Sequence, residues 1–222
     1  MEMRKKSSPA IAAGNERNGE SPMTDTSAHP GGHEYSSDVA FTPRVKALQS
    51  RKGSRNSYAR MEANGGWHTT ITPDLAAFIE AQTSVFLATA NAEGQPYIQH
   101  RGGPPGFLRV LDDKMIAFVD FAGNRQYITQ GNLSDNPKVH LFLIDYAQRK
   151  RVKIWGEARV IENDAELIAK LMPDGYQARP EQVILLTISA WDANCRQHIP
   201  QRFESSDRSE EHTSELQSLA YL

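Results

Sequence analysis

Gly123-Asn124-Arg125-Gln126-Tyr127-Ile128-Thr129-Gln130-Gly131-Asn132-Leu133 lies between two apolar runs, and its reading decides that of the chain. The run before it, Met115-Ile116-Ala117-Phe118-Val119-Asp120-Phe121, has the apolar, β-branched and aromatic character of a strand. The segment after it has helical composition until Asn136-Pro137 stops it. The stretch therefore reads as a strand-to-helix turn. Gly123 can take backbone angles closed to other residues, and Asn124 is a good N-cap. Unpaired amides at a helix start, beside the planar donor fork of Arg125, make a hook for a phosphate or carboxylate. An ordinary capped helix with a solvated arginine fits the same spacing.

Outward from the turn, the pattern is mainly β. Upstream lie β-like segments at residues 84–90, 95–101, 107–111 and 114–121, separated by turns at Asn91-Ala92-Glu93-Gly94 and Asp112-Asp113 and by the loop Gly102-Gly103-Pro104-Pro105-Gly106. Downstream lie 138–146, a long strand over 149–161 with Gly156 as a bend, and an apolar last strand over 183–191. Consecutive strands joined by tight turns imply an antiparallel meander, and long curled strands a barrel. Helices are predicted at 38–49, at 72–82, where Thr72 caps and Pro73 opens, and at 164–171. Between the first two, Arg51-Lys52-Gly53-Ser54-Arg55-Asn56-Ser57-Tyr58-Ala59-Arg60 is a basic, glycine-containing stretch that either reaches an anion or is a solvated face.

The 222 residues suit one domain with extended ends. With 25 Lys+Arg against 27 Asp+Glu the net charge is −2, so neither nucleic acid nor an anionic membrane is an expected partner. No apolar run approaches the roughly 20 residues of a membrane span, and a single cysteine, Cys195, fits a reducing compartment. Cytoplasm is the expected location. Residues 1–35 are polar and expected to be disordered, with Met23 an alternative start; the folded domain is expected over 36–204. Residues 208–218 read as the in-frame translation of a sequencing adapter, so 205–222 are expected to be a non-native tail.

Three segments together resemble the pyridoxamine 5′-phosphate oxidase-like, FMN-binding split-barrel family. They are Gln95-Pro96-Tyr97-Ile98-Gln99-His100-Arg101-Gly102-Gly103, the Gly123 turn with Asn136-Pro137-Lys138-Val139, and Arg151-Val152-Lys153-Ile154-Trp155-Gly156-Glu157-Ala158. The resemblance implies a six-stranded antiparallel split β-barrel with flanking helices, dimerising with FMN in the cleft between subunits. It makes Arg125 the principal phosphate ligand, helped by Arg101 and by Gln126, which stands where the oxidases carry lysine. Tyr97, Ile98, Gln99 and His100 would lie along the ribityl chain and ring edge, Val119 and Asp120 would offer backbone groups to the ring, and Arg151 stands near a flavin-bonding glutamine. Ile98 and Val119 fit a plain core role equally, and His100 a surface one. Arg196 and His198 loosely imitate the spacing of the oxidases' substrate residues; Cys195 and His198 could supply two metal ligands, too few for a structural zinc site. The implied function is an FMN oxidoreductase passing hydride or electrons from a reduced nicotinamide nucleotide or a small substrate. The alternatives are a non-catalytic flavin-binding module, or the same barrel holding F420 or heme.

Overall fold

The computed structural model describes residues 35–194 and 196–203. The chain divides into two units, Met1–His33 and Glu34–Leu222, and every element below belongs to the second. Expectations for residues 1–34, for Cys195 and for 204–222 lie outside the described residues.

A short 3-10 turn, Ser36–Val39, precedes three helices: α1 (Pro43–Lys52), α2 (Arg55–Ala63) and α3 (Pro73–Glu80). Thr42 and Thr72 each accept a backbone N–H three residues on, from Val45 and Leu75, both at 3.3 Å, and a proline follows each cap as the geometry of a first turn favours. The single helix predicted over 38–49 is thus two elements, because Thr42-Pro43 starts a new helix after the 3-10 turn. The basic stretch over residues 51–60 is helical apart from Gly53 and Ser54. Gly53 ends α1 in the left-handed conformation (φ 80°), and α2 begins two residues later. Arg55 in α2 turns inward to pair with Glu62, which is 3% exposed, and donates to Gln49 at 2.7 Å.

The strands are β1 (Ser84–Ala90), β2 (Pro96–Gly102), β3 (Arg109–Val110), β4 (Met115–Phe121), β5 (Lys138–Asp145), β6 (Lys150–Ile161) and β7 (Pro180–Asn194). Helix α4 (Ile128–Asp135) links β4 to β5, and α5 (Ala165–Leu171) links β6 to β7. All pairings are antiparallel, in the order β2-β1-β5-β6-β7-β4-β3. The sheet therefore has seven strands rather than six and does not close, β3 being a two-residue addition at one edge. This is a mainly antiparallel split-barrel fold with flanking helices.

Alternation places Val85 and Leu87 of β1, Leu141 and Leu143 of β5, and Val152 and Ile154 of β6 in one core with Leu75, Phe78 and Ile79 of α3. Strand β4 is apolar without alternation because both its faces are covered. Ile116 and Phe118 enter the main core, whereas Ala117 and Val119 meet Leu171 of α5 and Val183 and Leu185 of β7. Where β6 crosses β7, the register shifts between Trp155 and Gly156; a Cβ at Gly156 would sit 2.3 Å from the Thr187 carbonyl oxygen. The last strand extends beyond the predicted 183–191 at both ends, through Pro180-Glu181-Gln182 and Asp192-Ala193-Asn194, because pairing with β4 and β6 continues past the apolar run.

Candidate functional site

The turn after β4 differs locally from its reading. Helix α4 begins at Ile128, not beside Asn124, and Tyr127 is its N-cap residue without a side-chain cap bond. Asn124 instead accepts the Gln126 N–H at 3.2 Å, an Asx-type turn inside the loop. Gly123 does not use its freedom; Arg125 (φ 61°) and Tyr127 (φ 52°) take the left-handed conformations, and two such residues in alternation keep the helix from starting earlier.

The loop and the first turn of α4 form one side of a cleft of about 190 Å³; Tyr97, Gln99 and Arg101 of β2, Asp120 and Phe121 of β4, and Glu181 and Gln182 of β7 form the rest. Tyr97, Gln99 and Arg101 share a parity on β2, which aims them at one face. Buried Asp120 ties the floor together: Arg101 donates through Nη1 to Asp120 Oδ1, and Gln182 Nε2 donates to Asp120 Oδ2 at 2.9 Å. Arg101 Nη2 also lies 3.5 Å from Thr129 Oγ1, which donates to Gln99 Oε1 at 3.0 Å. Arg101 Nε is buried without a hydrogen-bond partner. Below them, Asn132 of α4 donates to Thr89 of β1 at 2.9 Å, fixing the helix against the sheet.

Arg125 lies exposed at the rim. Its Nε donates to the Tyr127 hydroxyl at 3.1 Å, which donates to Glu181 Oε1 at 2.9 Å. The Tyr127 hydrogen bond and charge, then Glu181, hold the Arg125 guanidinium above its ordinary pKa. The cleft thus presents two arginines, each already leaning on one acid: Arg101 on Asp120 directly and Arg125 on Glu181 through a phenol.

A second cavity of about 160 Å³ shares Arg101, Asp120 and Phe121 with the first and adds His100, Gly102, Phe107, Phe118 and Val119. His100 Nε2 lies 2.8 Å from Ser84 Oγ. Of the sequence candidates, Tyr97, Gln99, Arg101, Asp120, Arg125 and Gln126 meet in the cleft, and His100 and Val119 line the adjoining cavity. Ile98 points away from the cleft and is 62% exposed; Arg151, paired in β6 with Ile144, borders neither cavity. Arg196 and His198 are exposed beyond β7. Among the described residues, no group of three or more His, Cys, Asp or Glu is placed to hold a metal ion, and no helix is long and apolar enough to cross a membrane.

Sequence reasoning missed Thr129, Glu181 and Gln182 as members of the site. Gln182 gave one usable signal: an amide immediately before the run Val183-Ile184-Leu185-Leu186 must find a polar partner when that run is buried.

A family model described as pyridoxamine 5′-phosphate oxidase matches residues 71–195. Solved structures similar to the chain include HupZ of Group A Streptococcus, 22% identical, with 60% of this chain and 99% of that one covered at a TM-score of 0.47. An FMN-binding protein from Syntrophomonas wolfei is 10% identical, covering 66% of this chain and 97% of its own, with a TM-score of 0.43. HutZ of Vibrio cholerae, a heme storage protein, is 19% identical, covering 53% and 89%, with a TM-score of 0.39. No curated protein matches the chain. The matched span takes in every strand of the sheet and the whole of the cleft, and the chain belongs to the pyridoxamine 5′-phosphate oxidase family.

Proposed function

We propose that the chain is an FMN-dependent oxidoreductase acting as a homodimer, with the FMN phosphate in the cleft between Arg101 and Arg125. The observation that carries this reading is the convergence, within the family's matched span, of two arginines and an uncapped helix start on one cleft. The residues fit the group: the Arg101 guanidinium retains a buried, unpartnered Nε, and the first turn of α4 offers amides with no side-chain acceptor. FMN, when bound, supplies the hydride or electron transfer, with a reduced nicotinamide nucleotide or small substrate as donor. Arg125 exchanges its tie to Tyr127 and Glu181 for the phosphate, and Asp120 holds Arg101 in place from below. Tyr97 and Gln99 line the path leading from the phosphate, and His100 and Val119 the cavity beyond. Gln126, neutral where the oxidases carry lysine, leaves the grip to the two arginines.

The test is an absorbance spectrum of protein incubated with FMN and desalted. Wild type and Arg60→Ala, whose arginine lies on α2 away from the cleft, are expected to retain the flavin bands and to bleach with reduced nicotinamide; Arg125→Ala is expected to lose them. Equal retention by Arg125→Ala and Arg60→Ala would remove the phosphate assignment. Retention without bleaching would leave a flavin-binding module, and bands gained only with heme or F420 would change the cofactor.

A further inference from the structure

Residues 35–70 precede the span matched by the family model, and they form one wall of a chamber of about 710 Å³ whose other wall is β6 and β7. All three tryptophans of the chain line it. Trp67 stacks on Trp155 with ring centroids 4.6 Å apart and planes 13° apart, and His68 stacks on Trp191 at 4.5 Å and 19°. Phe41 packs against Tyr58 at 5.1 Å and against Trp67 at 5.0 Å. Such stacking attaches the N-terminal helices to the sheet and leaves between them a space open to solvent, whose volume falls within the range of small-molecule sites, about 300–1,000 Å³.

The chemistry of the lining narrows the occupant. Lys153 is its only lysine or arginine, with Nζ 5.7 Å from the Trp67 ring, 5.3 Å from the Trp155 ring and 3.0 Å from Asp192 Oδ2. An aromatic cage open to a cationic ligand would present its ring faces free; here Lys153, with Asp192 as its counter-ion, already fills the place such a ligand would take. An ammonium carries three donors, and a single carboxylate contact leaves donors to offer an anion. Flat walls of indole and phenol favour a flat ring.

We propose that this chamber is a second binding site, specific for a planar aromatic carboxylate whose carboxylate meets Lys153 and whose ring lies among the tryptophans. It is separate from the cleft within one chain: Gln182 borders the cleft and Trp191 the chamber, nine residues further along β7, roughly 30 Å of extended strand. The proposal does not rest on the flavin reading.

The probe is 2-naphthoate, compared with neutral 2-naphthalenemethanol, titrated into the full chain while the three indole N–H signals are followed by ¹H–¹⁵N NMR. Because every tryptophan lines the chamber, these signals report on it alone. The expected result is saturable movement of the indole signals, with naphthoate at least about tenfold tighter than the alcohol, the scale of one charge-assisted contact. Lys153→Met is expected to abolish that preference while leaving the far-ultraviolet circular dichroism spectrum unchanged. Indole signals that stay still, equal affinity for acid and alcohol, or undiminished naphthoate binding by Lys153→Met would each overturn the proposal. Should Lys153→Met fail to fold, the comparison of acid and alcohol on wild type decides.

Discussion

Removing the Asp120 carboxylate tests the architecture under the cleft. Asp120 Oδ1 receives Arg101 and Oδ2 receives Gln182, and the Arg101 and Asp120 side chains are 16% and 10% exposed. In Asp120→Ala, Arg101 keeps only the 3.5 Å approach to Thr129, and Gln182 loses its acceptor. Breaking a buried ion pair from one side costs about 3–5 kcal/mol, and water entering the open cleft puts this case at the lower end, about 3 kcal/mol. Set against a total stability of about 5–15 kcal/mol, that loss is large. Arg101→Met alone is expected to cost a similar amount, since it strands the carboxylate. The pair Arg101→Met with Asp120→Ala leaves no charge behind and is expected to lose well under the sum of the two single losses. Urea unfolding followed by circular dichroism gives all four stabilities. A double variant as unstable as the sum of the two singles would refute the coupling, and an Asp120→Ala protein within about 1 kcal/mol of wild type would refute the burial argument behind it.

Two further outcomes follow from the sheet. Gly156→Ala puts a Cβ 2.3 Å from the Thr187 carbonyl oxygen and 3.1 Å from Ile188 Cα, backbone that cannot swing aside, so a loss on the order of 3 kcal/mol and a Tm lowered by roughly 6–12 °C are expected by calorimetry; a Tm within about 2 °C of wild type would contradict the close approach. His140, packed edge-on against Trp155 at 4.9 Å, has its pKa lowered by burial and then by the Lys153 charge. The unfolded chain therefore takes up the proton first, and stability is expected to fall as the pH drops below about 6.5, levelling off once the folded form protonates too. Denaturation between pH 8 and pH 5 should show a smaller decline in His140→Gln than in wild type; parallel declines would contradict the assignment.

What could be read in advance followed local rules. Thr72-Pro73 placed a helix start, Asp112-Asp113 a turn, and the apolar run of β4 a strand. Arg101, Asp120 and Arg125 come together because β2 and β4, five places apart in the sheet order, meet across the split of the curled sheet, and family resemblance supplied that long-range information where periodicity could not. Local signals misled where two of them competed. The charges of residues 51–60 read as an anion-facing or solvated stretch, yet Gly53 stops α1 with one left-handed residue, and Arg55, Gln49 and Glu62 then close a buried cluster that draws the stretch into a second helix. Asn124 has the chemistry of a helix cap, but its side chain is taken by Gln126 one step too early. The chamber was invisible for a related reason: Trp67, Trp155 and Trp191 are far apart in sequence and join only when the N-terminal helices settle on β6 and β7.

The left-handed backbone at Arg125 sets folding and ligand capture at odds. A glycine there would adopt φ 61° without steric penalty, so Arg125→Gly should relax the loop even as it deletes the guanidinium that we propose meets the phosphate. Selection for a sturdier fold and selection for a tighter cofactor grip pull this one position in opposite directions. An arginine maintained there would record which of the two pressures has prevailed.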